Sequence, residues 1–211
     1  SLDAAKSYNS GIDKFKSNNY EAAVSDFTKA IDLTKGFYSA YLNRGSAYME
    51  LKKYSEAISD YNTSLNDPEN KKTAYFLRAR CYMELGSDDK AEGDFSSAIK
   101  ANPSDSKAFY YLGVIFFGQG KYEDAIKQFD GAIRNNKTYA HAYNDRASAK
   151  RQLEDYDGAI EDYKKAIMID NSLVFAHNNL GSALRKNGNF KGAVKAYSTA
   201  ISLDGGNYLA Y

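Results

Sequence analysis

Few residues in this 211-residue sequence have the types and spacing that catalysis or metal binding requires. The two histidines, His141 and His177, have no cysteine, aspartate or glutamate partner at a recognisable catalytic or zinc-ligand spacing. Cys81 is the single cysteine, which excludes an internal disulfide and a cysteine-built metal site. We therefore predict that the chain is not an enzyme and needs no metal or cofactor.

A glycine-rich segment, "GVIFFGQGKY", is the nearest approach to a phosphate-binding loop. In this segment Ile115 stands where such a loop has its first glycine, and Tyr122 stands where it has serine or threonine. Its glycines are better explained as a packing position and a turn between two helices. The segment therefore predicts no nucleotide site.

The charge balance and the hydrophobic pattern exclude two further classes of partner. Lys and Arg total 28 against 27 Asp and Glu, so the whole chain has no electrostatic reason to bind nucleic acid or an anionic membrane. No apolar run approaches the ~20 residues that a membrane-spanning helix needs. We predict neither nucleic-acid binding nor direct membrane insertion. The sequence indicates no compartment, so the cytoplasm is only a default.

One helical pattern recurs through the chain. The stretch "KYEDAIKQFDGAI", from Lys121 to Ile133, has five close relatives, and each follows the last after 34 residues. Their shared alanines are Ala23, Ala57, Ala91, Ala125, Ala159 and Ala193. The period divides a single predicted domain, 1–211, into six units and a partial capping helix. The units are 4–37, 38–71, 72–105, 106–139, 140–173 and 174–207, and the capping helix is 208–211.

Each unit contains the pattern of two amphipathic helices. In the second helix, unit positions 17, 20, 21, 24, 27 and 28 are nearly always apolar or aromatic and lie on one face. In the first helix, positions 4, 8 and 11 form a matching stripe, with a small residue at position 8. Position 15, in the turn between them, is Asn or Gly except at Lys52 and Glu154. A two-helix unit cannot bury both stripes alone, so neighbouring units must stack into a solenoid.

These features resemble the tetratricopeptide repeat (TPR) family, whose units are 34-residue helix-turn-helix pairs with small and aromatic landmarks. The resemblance covers essentially the whole chain. The family's tryptophan at position 4 is replaced by Tyr, Phe, His or Ser, and its proline at position 32 survives only as Pro103. The resemblance implies an all-α, right-handed α-solenoid of stacked antiparallel helix pairs. It also implies protein or peptide binding in a concave groove lined by the first helices.

Positions 2, 6, 9 and 13 of the first helices, with 5 and 12 beside them, lie opposite the buried stripe and are predicted to line this groove. Asparagine recurs at position 6, and its amide can both donate to and accept from an extended peptide backbone. Such a ladder resembles the peptide-gripping surface of the O-linked N-acetylglucosamine transferase superhelix. The alternative is that these asparagines are only solvated. Position 6 holds Asn9, Asn43, Leu77, Tyr111, Asp145 and Asn179.

The predicted groove changes character along the chain. Its middle is apolar, which indicates an interaction site unless curvature buries these residues against the next helix. The apolar members are Phe76, Leu77, Tyr110, Tyr111 and Val114, with Phe117 beside them. Its C-terminal part is polar and basic, and either receives an acidic segment or is simply solvated. The polar members there are Asn144, Asp145, Asn178, Asn179 and Arg185, with Arg151, Ser182 and Lys186 nearby.

One well-known TPR activity is disfavoured by the residues present. The dicarboxylate clamp of heat-shock co-chaperones has Lys and Asn before its central Asn, and Lys and Arg after it. Asn43 stands at the central position, but Tyr8 and Ile12 precede it and Thr73 and Leu77 follow. We therefore predict a protein-interaction scaffold of a different specificity. A self-association module and the substrate-recruiting domain of a larger enzyme are the alternatives.

The repeat pattern also predicts ion pairs within repeats and the packing of the last residues of the chain. Arginine replaces the usual apolar residue at position 7 in three units, and each of these units has Asp at position 23. We predict ion pairs between the two helices of these units, namely Arg44 with Asp60, Arg78 with Asp94, and Arg146 with Asp162. We also predict that Tyr208 and Tyr211, in the partial capping helix, pack against the sixth repeat.

Overall fold

The computed structural model describes residues 1–204, and the regular structure within them is entirely helical. The first helices of the six pairs are α1 (Leu2–Lys16), α3 (Tyr38–Glu50), α5 (Lys71–Glu84), α7 (Ser106–Gly118), α9 (Ala140–Gln152) and α11 (Val174–Lys186). The second helices are α2 (Tyr20–Leu33), α4 (Tyr54–Ser64), α6 (Asp88–Ala101), α8 (Tyr122–Asn135), α10 (Tyr156–Ile169) and α12 (Phe190–Leu203). A short 3-10 helix, Pro68–Asn70, precedes α5. The predicted all-α class and the two helices per repeat are confirmed.

The six repeats group into two larger compact units, each of three helix pairs, which divide between Pro103 and Ser104. Below, "unit" means one of these two halves and "repeat" means one helix pair. Unit 1 contains the helix pairs α1 to α6, and unit 2 contains the pairs α7 to α12. No helix between residues 1 and 204 combines the length and the apolar character needed to cross a membrane. The predicted packing of Tyr208 and Tyr211 lies outside the described residues.

Small residues at position 8 let the two helices of a pair approach closely, as predicted. A Cβ atom added at Gly113 would lie 2.7 Å from the ring of Phe129, and one at Gly11 would lie 2.7 Å from the ring of Phe27. Both phenylalanines are fully buried. The ring at position 24 therefore occupies the space that a side chain at position 8 would need.

The same rings also hold the next repeat in place. Phe129 and Ala125 of α8 share a buried cluster with Ala149 of α9, the first helix of the following pair. In unit 1 the corresponding contact of Tyr61 is Cys81, which is fully buried. Burial raises the pKa of the Cys81 thiol to about 12, so the group stays neutral. Cys81 is therefore a packing residue, as its position in the repeat predicts.

All three predicted Arg-Asp pairs are present. Each guanidinium donates two hydrogen bonds to the two oxygens of its carboxylate, the bidentate geometry that makes such pairs strong. The shortest nitrogen-oxygen distances are 2.7 Å for Arg44 with Asp60, 2.7 Å for Arg78 with Asp94, and 2.6 Å for Arg146 with Asp162. These pairs fix the two helices of repeats two, three and five to one another.

Each arginine also makes a contact that the sequence analysis does not predict. Its remaining terminal nitrogen reaches the second helix of the preceding repeat, 16 residues back in the chain. Arg44 donates to Thr28 at 3.0 Å, and Arg146 donates to Asp130 at 2.6 Å. Arg78 donates in the same way to Asn62. One arginine therefore joins three helices.

The first repeat has serine instead of arginine at position 7, so a different residue must neutralise its aspartate at position 23. Ser10 donates a hydrogen bond to Asp26 at 2.6 Å, and Lys14, one helical turn later, forms an ion pair with the same carboxylate at 2.7 Å. The Lys14 ammonium thus supplies the positive charge that the arginine supplies elsewhere. This explains why Asp26 occurs without an arginine at position 7.

The turn between the helices of each pair has the same left-handed backbone in all six repeats. Position 15 has a φ between 58° and 79° throughout, and this holds for Lys52 and Glu154 at 58° and 62°. A side chain with a Cβ atom is strained in this region, by roughly 1–2 kcal/mol. Lys52 and Glu154 therefore carry local strain that the glycines at the equivalent positions avoid.

Replacing either strained residue by glycine is expected to stabilise the protein. Relief of the strain exceeds the extra chain entropy of glycine, which is roughly 0.5–1 kcal/mol. We expect Lys52→Gly and Glu154→Gly each to raise the free energy of unfolding by about 0.5–1 kcal/mol in urea titrations. Asn18→Gly is the control, since asparagine tolerates this conformation and should gain little. A loss of stability in both glycine variants would show that the turns are held by side-chain contacts instead.

Candidate binding face of the first helices

The first-helix face of unit 1 contains a polar contact between adjacent repeats. The Asn43 side-chain amide donates a hydrogen bond of 2.7 Å to the Tyr8 hydroxyl, 35 residues earlier in the chain. Leu42 of the second repeat and Leu77 of the third occupy the equivalent positions, and both pack against the cluster around Tyr61. The contact is therefore polar between repeats one and two and apolar between repeats two and three.

Unit 2 contains its own and longer set of such contacts, a hydrogen-bonded chain that joins α7, α9 and α11. The Tyr110 hydroxyl donates to one oxygen of Asp145 at 2.7 Å, and the Asn144 amide donates to the other at 2.8 Å. The Asn179 amide in turn donates to the oxygen of Asn144 at 3.2 Å. These four residues, Tyr110, Asp145, Asn144 and Asn179, are called the polar relay below.

The polar relay changes the interpretation of the asparagine ladder. Asn43, Asp145 and Asn179 each make a hydrogen bond to position 5 of the preceding repeat, so these side chains are already engaged within the protein. A sequence signal for this existed, because compatible polar residues recur 35 residues apart at Tyr8 and Asn43 and at Tyr110 and Asp145. Helical periodicity within one repeat does not reveal this signal, because the two partners lie in adjacent repeats.

The predicted groove residues differ widely in exposure. Asn9 and Arg185 are exposed, whereas Asn144 is only 4% exposed and is not available to a ligand, contrary to expectation. Asn144 is covered because its amide bridges Asp145 and Asn179 inside the polar relay. The remaining residues are half-buried, namely Asn43, Phe76, Leu77, Tyr110, Tyr111, Val114, Asp145, Asn178 and Asn179.

An aromatic cluster supports the polar relay in unit 2. The Tyr110 ring lies 5.5 Å from the Tyr111 ring and 4.9 Å from the Tyr139 ring, between ring centroids, and 5.9 Å from Phe129. Burial and the neighbouring Asp145 carboxylate raise the pKa of the Tyr110 hydroxyl, so it remains a neutral donor. In unit 1, Phe76 packs edge-on against Phe95 at 5.7 Å.

A cavity of about 120 Å³ adjoins Asp145. Its walls are Val114, Phe117 and Phe129, and its polar lining residues are Asp145 and Ser148. Burial raises the pKa of the Asp145 carboxyl, and the hydrogen bonds from Tyr110 and Asn144 offset only part of this effect. The arrangement combines an apolar chamber with a carboxylate that lacks full solvation.

The C-terminal part of the face is basic, but one of its cations is already engaged. Arg151 donates to the Ser182 hydroxyl at 3.0 Å, which links α9 to α11. Arg185 and Lys186 are exposed near the end of α11. The side-chain oxygen of Asn178 is shielded from solvent and has no hydrogen-bond partner within residues 1–204.

The described residues contain no cluster of His, Cys, Asp and Glu that could hold a metal ion. His177 is nearly buried and contacts the backbone oxygen of Asn171 at 3.1 Å, whereas His141 is exposed.

Comparison with family models gives matches along most of the chain. A model described as "Tetratricopeptide repeat" matches residues 8–71 and 77–140, which is more than half of the sequence. A second tetratricopeptide repeat model matches residues 174–207, and one described as "TPR repeat" matches residues 147–188. A comparison with curated protein sequences gives no match.

Solved structures show the same fold. The protein YrrB, described as a TPR protein with an unusual peptide-binding site, is 21% identical with a TM-score of 0.76, over 87% of this chain and 95% of YrrB. The protein MamA is 25% identical with a TM-score of 0.72, over 76% of this chain and 94% of MamA. The C-terminal part of a TPR repeat-containing protein from Cytophaga hutchinsonii is 20% identical with a TM-score of 0.81, over 93% and 78% of the two chains. The predicted fold class, an α-solenoid of stacked helix pairs, is thereby confirmed.

Proposed function

The chain belongs to the tetratricopeptide repeat family, and on that premise we propose that it is a protein-interaction scaffold. It binds an extended or helical segment of a partner protein on the exposed face of its first helices. The family model matches more than half of the chain, and the fold of YrrB shows that such a solenoid can carry a peptide-binding site. A scaffold of this kind supplies a surface and no catalytic chemistry.

The observation that carries this proposal is that two residues of the polar relay in unit 2 are held by hydrogen bonds but are not fully buried. Asp145 and Asn179 are held by hydrogen bonds to their neighbours, yet both remain partly exposed. Asp145 lies beside Tyr110 and lines the same cavity as Val114. Asp145 and Asn179 each retain acceptor lone pairs that the internal hydrogen bonds do not use. Polar groups fixed in place next to aromatic surface are typical of an interface, where little entropy is lost on binding.

Self-association is the second candidate, and it has its own observation. Phe190 and Val194 on α12 are 67% and 65% exposed, although both belong to the apolar stripe of the second helix. Ile160, which is equivalent to Val194, is only 8% exposed in the preceding repeat. This α12 face is suited to a second copy of the chain. A concentration-dependent mass in analytical ultracentrifugation that Val194→Glu abolishes would favour it.

The proposed function predicts that two substitutions on the first-helix face remove partner binding. We expect Tyr111→Ala with Asn43→Ala to weaken capture of a bound protein, because truncating an aromatic anchor typically costs about 2 kcal/mol or more of binding free energy. The measurement is affinity capture with wild-type and variant chains, quantified by mass spectrometry.

Tyr8→Phe is the matched control for this experiment. It removes the same hydrogen bond between Tyr8 and Asn43 but leaves the exposed part of Asn43 in place. We expect it to lower stability by about 1 kcal/mol and to retain the partner. Capture of the same proteins in the same amounts by the double variant would contradict binding on this face and leave self-association as the better account.

A further inference from the structure

Asp145 differs from the three buried aspartates of the described residues in having no lysine or arginine partner. Asp60, Asp94 and Asp162 are each held by two hydrogen bonds from an arginine. The oxygens of Asp145 accept hydrogen bonds only from neutral groups, the Tyr110 hydroxyl and the Asn144 amide. Within residues 1–204, no lysine or arginine nitrogen lies within ion-pair distance of this carboxylate.

An uncompensated carboxylate in a poorly solvated position is unfavourable unless a cation approaches it. Where this chain buries an aspartate, at Asp60, Asp94 and Asp162, it supplies a basic side chain beside it. At Asp145 the adjoining space is instead a cavity of about 120 Å³. A cationic side chain can therefore reach the carboxylate through this cavity.

We propose that Asp145 and this cavity bind a lysine side chain of the partner segment. This proposal rests on the proposed function, because the lysine belongs to the protein bound on the first-helix face. The aliphatic stem lies against Val114, Phe117 and Phe129, and the ammonium group donates to the Asp145 carboxylate and the Ser148 hydroxyl. The apolar walls and the polar lining residues match the two parts of a lysine side chain.

The hydrogen bonds already present favour an ammonium over a guanidinium. A guanidinium prefers to meet both carboxylate oxygens in one plane, but here each oxygen of Asp145 is already occupied by Tyr110 or Asn144. An ammonium is a compact charge with three donors that meets acceptors from several directions. Ser148 contacts the Tyr163 hydroxyl at 2.9 Å and the Asn144 carbonyl at 3.1 Å, and a lone pair of its oxygen is left to accept.

The proposal is tested with a lysine side-chain analogue and the intact chain. n-Butylammonium, n-propylguanidinium and 1-butanol are titrated separately while the methyl resonances of Val114 are followed by NMR. We expect a saturable shift with n-butylammonium and an affinity at least tenfold lower for 1-butanol, which lacks the charge. Tighter binding of n-propylguanidinium would overturn the lysine assignment.

Three variants separate a specific site from general charge attraction. Asp145→Asn is expected to weaken n-butylammonium binding at least tenfold, and the fold accommodates it because Asn43 occupies the equivalent position beside Tyr8. Val114→Phe fills the cavity without removing the carboxylate and is expected to abolish binding, so it decides the matter if Asp145→Asn is unfolded. Glu123→Gln removes one exposed negative charge from α8 and should leave the affinity unchanged.

The outcomes distinguish this site from the scaffold function. Linear, non-saturating shifts, or equal affinities for wild type and Asp145→Asn, would overturn the lysine site. If partner capture still depends on Tyr111 and Asn43 in that case, the proposed function stands without it. If n-butylammonium binds as expected but capture is insensitive to those substitutions, the site exists and the scaffold proposal fails.

Discussion

Arg78→Leu is expected to lower the free energy of unfolding by about 3–5 kcal/mol, whereas Arg78→Leu combined with Asp94→Gln should recover most of the loss. Asp94 is only 6% exposed, so removal of its arginine leaves a buried, unpaired carboxylate. Replacement of both partners removes the buried charge together with its counter-ion. The fourth repeat already has this combination, with Leu112 and Gln128 at the equivalent positions of the same helix pair.

Urea denaturation of the two single variants and the double variant measures this difference as a double-mutant cycle. Arg185→Leu is the matched control, because Arg185 is exposed and its replacement should change stability by no more than about 0.5 kcal/mol. If the single and double variants lose equal stability, Arg78 acts mainly through its packing over the Tyr75 and Tyr82 rings, 5.6 and 6.0 Å away.

Phe129→Ala is expected to destabilise the protein by about 3–5 kcal/mol, because it empties a fully buried site at the centre of unit 2. The ring fills the space above Gly113 and packs in the cluster that includes Ala149 of the next repeat. Its loss therefore weakens both the helix pair and the contact between pairs. Thermal and urea unfolding of the intact chain measure the effect.

Phe190→Ala is the control for the loss of an aromatic ring. Phe190 stands on α12 and is 67% exposed, so we expect its replacement to change stability by no more than about 0.5 kcal/mol. A comparable loss in both variants would mean that Phe190 is covered in solution. That result would favour either the self-association alternative or the predicted packing of Tyr208 and Tyr211 on the sixth repeat, and a mass independent of concentration in analytical ultracentrifugation would favour the latter.

Much of the fold follows from the 34-residue period alone. The repeated pattern from Lys121 to Ile133 predicts a helix that the structure places at Tyr122–Asn135. The Arg-Asp pairs follow as well, because arginine at one position occurs with aspartate at another in the same repeat. The backward contact of each arginine does not, because its acceptor is Thr28, Asn62 or Asp130 and no single residue type marks the position.

The candidate site is less predictable than the fold because exposure depends on how adjacent first helices meet. Asn144 lies on a face that helical periodicity places outward, yet Asn179 of the next helix covers it. Lys52 and Glu154 show a related limit in the backbone. Their residue types disfavour the left-handed conformation, but the packing of the two helices they connect imposes it.

The arginines that join three helices also determine how disturbance spreads along each unit. Arg44 and Arg78 couple the three repeats of unit 1 into an uninterrupted series, since each holds its own pair and the preceding one. In unit 2, Arg146 couples the fourth and fifth repeats, while Leu180 stands at that position in the sixth. In a chain of repeats, the stability is approximately the sum of the stabilities of the single repeats and of such couplings between neighbours, and the couplings make unfolding cooperative. Within residues 1–204, charged groups of the fifth repeat contact the sixth through hydrogen bonds with neutral partners, from Arg151 to Ser182 and from Asn187 to Asp157, and no ion pair joins the two repeats. The opening of the sixth repeat is therefore the step of unfolding that added salt should affect least.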